Sequence, residues 1–294
     1  MNALVLINKP VNIRSTQCVA MVRKQLYGEK VGHAGTLDST GSGLLILLTG
    51  SATRFSDYIM SLPKIYRAVI QFGAETDTCD YSGEIIDSRG FKDLDVKKLL
   101  DSLYKFSGWR LQSPPSISAV KIDGKRAYKL ARAGQNPEMK PRPVFFREVK
   151  IISPYNCESG TLELEISCGR GTYIRSLAND LGKITGCGAY IKSLVRTSTG
   201  NFKLDNANNL DKNFIFTPLT ELAKNYTRIH ISERDSKSFL NGMSILIRNY
   251  QEIYRGLAAM SDKNIICVEG DNFIGFGIYA GYDYIRPLVS VLKE

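Results

Sequence analysis

The stretch that most restricts this chain is residues 32–48, GHAGTLDSTGSG followed by LLILL. Four glycines, Gly32, Gly35, Gly41 and Gly43, allow tight turns and close approach of a ligand to the main chain. The apolar run from Leu44 to Leu48 must be buried, and it predicts a strand that holds the loop still. Asp38 is the loop's only carboxylate. Loops on rigid supports are where binding and catalytic groups concentrate, yet a solvated glycine turn has the same composition, and local sequence leaves both readings open. A phosphate-cradling loop fits poorly, because the Gly-Lys-Ser/Thr ending is missing and the loop contains no GxGxxG spacing.

A chain of 294 residues predicts one large domain and a smaller one. Its longest apolar runs fall far short of the ~20 residues that span a bilayer, and its N-terminus is strand-like rather than a charged-then-apolar export signal. The expectation is a soluble, cytoplasmic protein. The six cysteines show no CxxC pair, and with only two histidines, His33 and His230, they argue against a zinc site. Small buried thiols in a reducing compartment account for them.

The net charge of +10 is unevenly placed. Residues 223–294 carry 9 Lys/Arg against 8 Asp/Glu, whereas residues 110–150 carry 10 against 3. A localised positive footprint of this kind is what binding through nucleic-acid phosphates requires.

Residues 3–8 predict a buried strand. A helix follows with Ser15 as its N-cap and Gly28 at its end. Beyond the glycine loop come a strand at 43–48, a short helix at 51–60 and a strand at 64–72. On that strand Lys64, Tyr66 and Ala68 share one face, and Ile65, Arg67 and Val69 the other. TDTCDYSG (76–83) predicts a polar turn leading to a short strand at 84–87, and 93–105 a surface helix. In the basic segment, Ser113 to Ser116 blocks regular structure, residues 117–122 suit a strand, and Lys125 to Ala133 suits a helix presenting Lys125, Arg126, Lys129 and Arg132. With Gly134 and the stretch Pro137 to Pro143, the segment suggests a projecting basic arm. Strands at 144–153, 161–168 and 188–196 enclose a helix that begins after GRGTY, which sets Tyr173 and Arg175 near a strand-helix junction. After an Asn-rich stretch and a short helix near 219–224, a boundary is expected near residue 225. The remainder reads as a helix at 233–241 and short β-rich runs forming a small barrel.

An enzyme acting on an RNA base needs a reactive carboxylate, a cation to keep it ionised, an aromatic platform for an unstacked base and a phosphate-gripping arm. Asp38, Arg175, Tyr66 and residues 110–150 are candidates. The order of motifs closely resembles the bacterial tRNA pseudouridine-55 synthases of the TruB family. The resemblance rests on NKPVNIRS (8–15), GHAGTLD (32–38), KIYRA (64–68), GAETDTCDYSG (73–83), PPSISAVKIDGKRAYKLARAG (114–134), RGTYIRSLANDLG (170–182) and LVRTSTGNF (194–202).

That resemblance implies an α+β fold: a mixed, largely antiparallel central sheet flanked by helices, with a small β-rich C-terminal domain of the PUA type. It divides the chain into a catalytic domain at 1–225, with an RNA-clamping insertion at about 110–150, and an RNA-binding domain at 226–294. It implies that Asp38 attacks the target nucleotide or takes its 2′ proton during glycosidic cleavage, freeing uracil to rotate and re-bond through C5. Arg175 would pair with Asp38, and Tyr66 would stack on the flipped uracil. Tyr173 would line the pocket, Leu194 close its apolar wall, and His33 fill the stack the nucleotide vacated. Lys64 and Arg67 would support the pocket or the RNA backbone. The implied partner is the T stem-loop of tRNA, bound by a monomer needing no metal, organic cofactor, membrane or obligate protein partner. The stretch STGSG (39–43) departs from the family's usual proline-containing continuation, and Asn8, Asn12 and Arg14 stand where Asp, Gly and Thr are usual. Two other classes stay open: a non-catalytic RNA-binding or RNA-folding protein using the same arm, and a guide-RNA-dependent synthase of the archaeal and eukaryotic type.

Overall fold

The computed structural model describes residues 2–118, 120–122, 124–127, 130, 133–135, 139–211, 213–246, 252–254, 265–270 and 272–291. They divide into two compact units, Met1–Pro63 with Thr197–Glu294, and Lys64–Arg196. The fold class is the expected one: a mixed, largely antiparallel central sheet flanked by helices, followed by a small β-rich C-terminal half-barrel.

The chain begins in the first unit with β1 (Leu4–Lys9), α1 (Ser15–Gln25), β2 (Val31–His33), β3 (Ser42–Thr49) and, after a 3-10 turn, α2 (Ser56–Ser61). Strand β3 pairs antiparallel with both β1 and β2, and its run from Leu44 to Leu48 is wholly buried, as an apolar strand without alternation must be. Ser15 is not the cap of α1. It is the first helical residue, Arg14 takes the cap position, and the Ser15 hydroxyl is engaged elsewhere.

The second unit runs through β4 (Lys64–Phe72), β5 (Ala74–Thr76), β6 (Ile85–Ser88), α3 (Val96–Tyr104) and β7 (Gly108–Gln112). It continues with a two-residue hairpin, β8 (Lys121–Ile122) and β9 (Lys125–Arg126), then β10 (Arg142–Asn156), β11 (Thr161–Cys168), α4 (Ile174–Thr185) and the start of β12 (Ala189–Thr199). The sheet of this unit is ordered β12-β4-β11-β10-β7, so β7 is an edge. The helix expected from Lys125 is displaced, because Lys125 and Arg126 are in β9; residues 128, 129, 131 and 132 of that expected helix lie outside the described residues. The basic stretch is also less of an arm than its composition suggests. Its two ends are strands of the sheet, and Gln112, Pro114, Pro115 and Ser118 are buried.

Helix α4 buries Ile174, Leu177, Ala178 and Leu181 along one stripe and ends at Gly186 in the left-handed region. Gly182 sits within this helix because a Cβ there would lie 2.2 Å from the Ala189 backbone nitrogen. The close approach brings the end of α4 against the start of β12.

From residue 197 the chain is again in the first unit. There β13 (Phe202–Lys203) pairs with the end of β12, and β14 (Phe216–Thr217) adds to β1. The remaining elements are β15 (Thr227–His230), α5 (Glu233–Leu240, capped by Ser232), β16 (Ile245–Leu246), β17 (Glu252–Tyr254), β18 (Ile265–Glu269), β19 (Phe273–Tyr279) and β20 (Tyr284–Ser290). They form a sheet in the order β16-β20-β19-β18-β15-β17, in which only β15 and β18 run parallel. Its core is continuous with that of β1 and β3. Cys267, Phe273, Phe276 and Val289 pack in one cluster with Leu4, Leu44, Ile46, Phe55, Ile59 and Tyr226.

Candidate active site

Asp38 and His33 belong to the first unit, and Lys64, Tyr66, Arg67, Tyr173, Arg175 and Leu194 to the second.

The Asp38 loop is held from both sides. The Ser15 hydroxyl donates to the Leu37 carbonyl at 2.8 Å and accepts from the Leu37 N–H at 3.0 Å. On the other side, the Asn12 N–H donates to the Ser39 carbonyl at 2.7 Å, from a residue in the left-handed region. The Pro10–Ile13 turn that presents Asn12 is itself fastened by the fully buried Lys9, whose ammonium donates to the carbonyls of Pro10 and Ile13 at 2.8 and 2.7 Å. NKPVNIRS is therefore the clamp of the loop at 32–43. The stretch STGSG is ordered as well: the Gly41 N–H closes a turn on the Asp38 carbonyl at 3.1 Å, and Gly43 takes φ +102 before β3 begins. Asp38, half-buried, thus has a fixed residue on either side. His33 ends β2, where the backbone pairs with Leu47.

In the second unit, the alternation of β4 buries Lys64 and Tyr66 on one face and exposes Arg67 on the other. Arg67 lies 3.7 Å from Glu165 across the strand pair, so it does not share a pocket with Tyr66, and any RNA contact it makes is on the outer face. Lys64 is buried in cationic company. Burial, followed by repulsion from Arg196 and Arg170, lowers its pKa to about 7 against a partial opposing influence from Cys168. The Cys168 thiol, directly across the strand pair, is raised to about 12, chiefly by its own burial.

Tyr173 precedes the first turn of α4 in extended conformation, and both its backbone groups are taken by the side chain of buried Gln112, at 2.9 and 3.0 Å. Arg175, the second residue of α4, is buried to 4% exposure. Its guanidinium donates to the carbonyls of Thr78 and Ile117 at 3.0 and 2.9 Å, and its Nε lies 3.8 Å from the carboxylate of Asp80, which is equally buried. Leu194 is on β12, the strand beside β4, and is 8% exposed, as is Tyr66.

Asp80 is the residue that sequence reasoning left out. TDTCDYSG is a rigid holder rather than a plain polar turn. One Asp80 oxygen accepts from the Thr78 hydroxyl, the Ser82 N–H and the Ser82 hydroxyl at 2.8, 3.0 and 2.6 Å, which leaves the other to face Arg175. Cys79 adopts φ +58 to make this turn, and Gly83 closes it where a Cβ would meet Asp77 Oδ1 at 2.3 Å. A buried guanidinium needs every donor matched, and this turn supplies both a carbonyl and a carboxylate. The density of short polar side chains in 76–82 was the available signal.

Comparison with known proteins places these residues in a family. Residues 23–174 match the model of the TruB family pseudouridylate synthase N-terminal domain. Over 289 residues, covering 96% of both chains, the sequence is 36% identical to tRNA pseudouridine synthase B of Aquifex aeolicus (strain VF5). It is 34% identical over 291 residues to that of Clostridium kluyveri, covering 97% of this chain and 98% of the relative. Among solved structures, a Cbf5-Nop10-Gar1 complex has a chain that superposes with TM-score 0.73 at 19% identity, covering 99% of this chain and 84% of that one, a likeness of fold. The clamped Asp38 loop, β4 and the start of α4 all fall within the matched family region, and the chain belongs to the TruB family of pseudouridylate synthases.

Proposed function

We propose that this chain isomerises uridine 55 in the T loop of tRNA to pseudouridine, with Asp38 as the essential carboxylate. The observation that carries the proposal is the double clamp on the Asp38 loop. A group that must meet a reacting carbon or proton gains most from being positioned before the substrate arrives, and here both chain neighbours of Asp38 are hydrogen-bonded to the NKPVNIRS segment. The curated relatives, matched over nearly their full length, are tRNA pseudouridine synthases.

In this reading Asp38 attacks the flipped nucleotide or removes its 2′ proton, the bond from the ribose to N1 of uracil breaks, and the base turns and re-bonds through C5. Either route requires an ionised carboxylate, and the Arg175 guanidinium, held in orientation by Asp80, Thr78 and Ile117, supplies the balancing charge. Tyr66 stacks on the uracil and moves a proton at the reacting carbon; Tyr173 and Leu194 bound the apolar part of the pocket. His33 fills the gap in the loop stack, Lys64 supports the pocket, and Arg67 meets RNA backbone from the outer face. The segment 110–150 grips the T stem, and the β-rich region from 226 adds a second RNA contact.

Incubating the purified chain alone with a tRNA transcript and mapping pseudouridine at single-nucleotide resolution tests this reading. Modification at position 55 is expected. No modification without added guide RNA or proteins would instead favour the guide-dependent class.

A further inference from the structure

The outer face of the second unit carries an aromatic patch that the uridine chemistry does not use. On the edge strand β7, alternation sends Arg110 inward, where its guanidinium lies 3.8 Å above the Phe106 ring, and Trp109 and Leu111 outward. Those two are 64% and 70% exposed. Across the strand pair they stand opposite Phe145 and Pro143, and the Trp109 and Phe145 rings are 5.3 Å apart, tilted by 54°. Large apolar groups left outside on an edge strand invite association, and chains usually keep such edges charged.

The surroundings point to one kind of occupant. Exposed Arg147 follows Phe145 along β10 and exposed Lys140 precedes the strand, whereas Arg142, opposite buried Gln112, is on the other face. Strands β7 and β10 are also the two that carry the chain into and out of the basic segment 113–141. The segment is fastened to α4 at its root, where the Ser113 and Ile117 carbonyls accept from Ser176 and Arg175. The acids of this face are Glu148 on β10, exposed beside Arg147, and Glu163 and Glu165 on β11, of which Glu165 already faces Arg67. An exposed aromatic pair with basic side chains nearby is the chemistry that stacks an unpaired nucleobase while holding its phosphates.

We propose that Trp109 and Phe145 form a stacking platform for an unpaired base of the bound RNA, separate from the uridine that reacts. The inference rests on the RNA-modifying reading above and extends the RNA footprint to the outer face at the root of the basic segment.

Trp109 is the chain's only tryptophan, so its emission reports on this site alone. Titration of the full-length protein with a tRNA transcript should quench that emission with the same midpoint as fluorescence anisotropy of labelled tRNA. Trp109→Ala should weaken tRNA binding about tenfold, the worth of one stacked base, raising KM with little change in kcat, while Trp109→Phe should retain most of the affinity. Unchanged emission on binding, or an unchanged Kd for Trp109→Ala, would overturn the platform while modification of uridine 55 still stood. Emission that shifts with protein concentration alone, with a doubled mass in light scattering, would assign the patch to a second copy of this chain. Absence of any tRNA binding would overturn the platform and the proposed function together.

Discussion

At the scale of single residues, the second unit holds two buried cationic side chains. Arg175 meets a carboxylate and two carbonyls, and Lys64 has its pKa lowered first by burial and then by Arg196. The shift of Lys64 has a consequence for stability. In the unfolded chain Lys64 titrates near 10.5, and in the folded chain near 7. Between those values the unfolded state holds the extra proton, so this group's contribution rises as pH climbs from about 7 toward 10 and is lost as pH falls through 7. The full span is on the order of 5 kcal/mol at most. Denaturant midpoints measured from pH 6.5 to 9.5 should therefore rise less in Lys64→Met than in the parent chain, and identical slopes would contradict this account. That Lys64 and Tyr66 share a face was legible from period-two alternation. The Asp80 contact was not, because its partner lies 95 positions away in sequence, at the head of a helix, and no periodicity links a turn to such a point.

At the scale of elements, one hydroxyl joins a helix to the site. Ser15 looks like a cap by residue type and position, yet it uses both its hydrogen-bonding functions on Leu37. Propensity rules describe what a serine does locally, and here a tertiary partner 22 residues away outcompetes the local one. Ser15→Ala leaves the Leu37 N–H and carbonyl without that partner, a loss of about 1–3 kcal/mol, and frees one side of the Asp38 loop. We expect a lower unfolding midpoint together with a slower single-turnover rate at saturating tRNA. A stability loss with unchanged turnover would mean that the clamp serves folding alone. The loop itself was legible in outline, since glycines before an apolar run mark a supported turn. Its order through STGSG was not, because the Asp38–Gly41 turn and the Asn12–Ser39 bond depend on backbone geometry.

At the scale of the whole molecule, strands β18 to β20 are more than an appended module. Phe276 is fully buried, stacks on Tyr58 at 4.3 Å, and meets Tyr226 at 4.6 Å and Phe55 at 6.0 Å edge-on. The Tyr226 hydroxyl donates to the Tyr58 carbonyl at 2.6 Å. Short alternating runs made the strands visible in the sequence, but which apolar faces would meet across more than 200 residues depends on shape, which composition does not encode. Phe276→Ala should destabilise the chain by about 3–5 kcal/mol, read as a single shifted transition in calorimetry. A variant in which only a small early transition moved would show instead that the C-terminal strands unfold independently.

The account as a whole depends on one carboxylate. The direct measurement is pseudouridine mapped in a tRNA transcript after incubation with the parent chain or with Asp38→Asn, alongside the tRNA Kd of each. We predict complete loss of modification at position 55 with binding within a few-fold of the parent. Turnover by Asp38→Asn near the parental rate would contradict the central role given to Asp38.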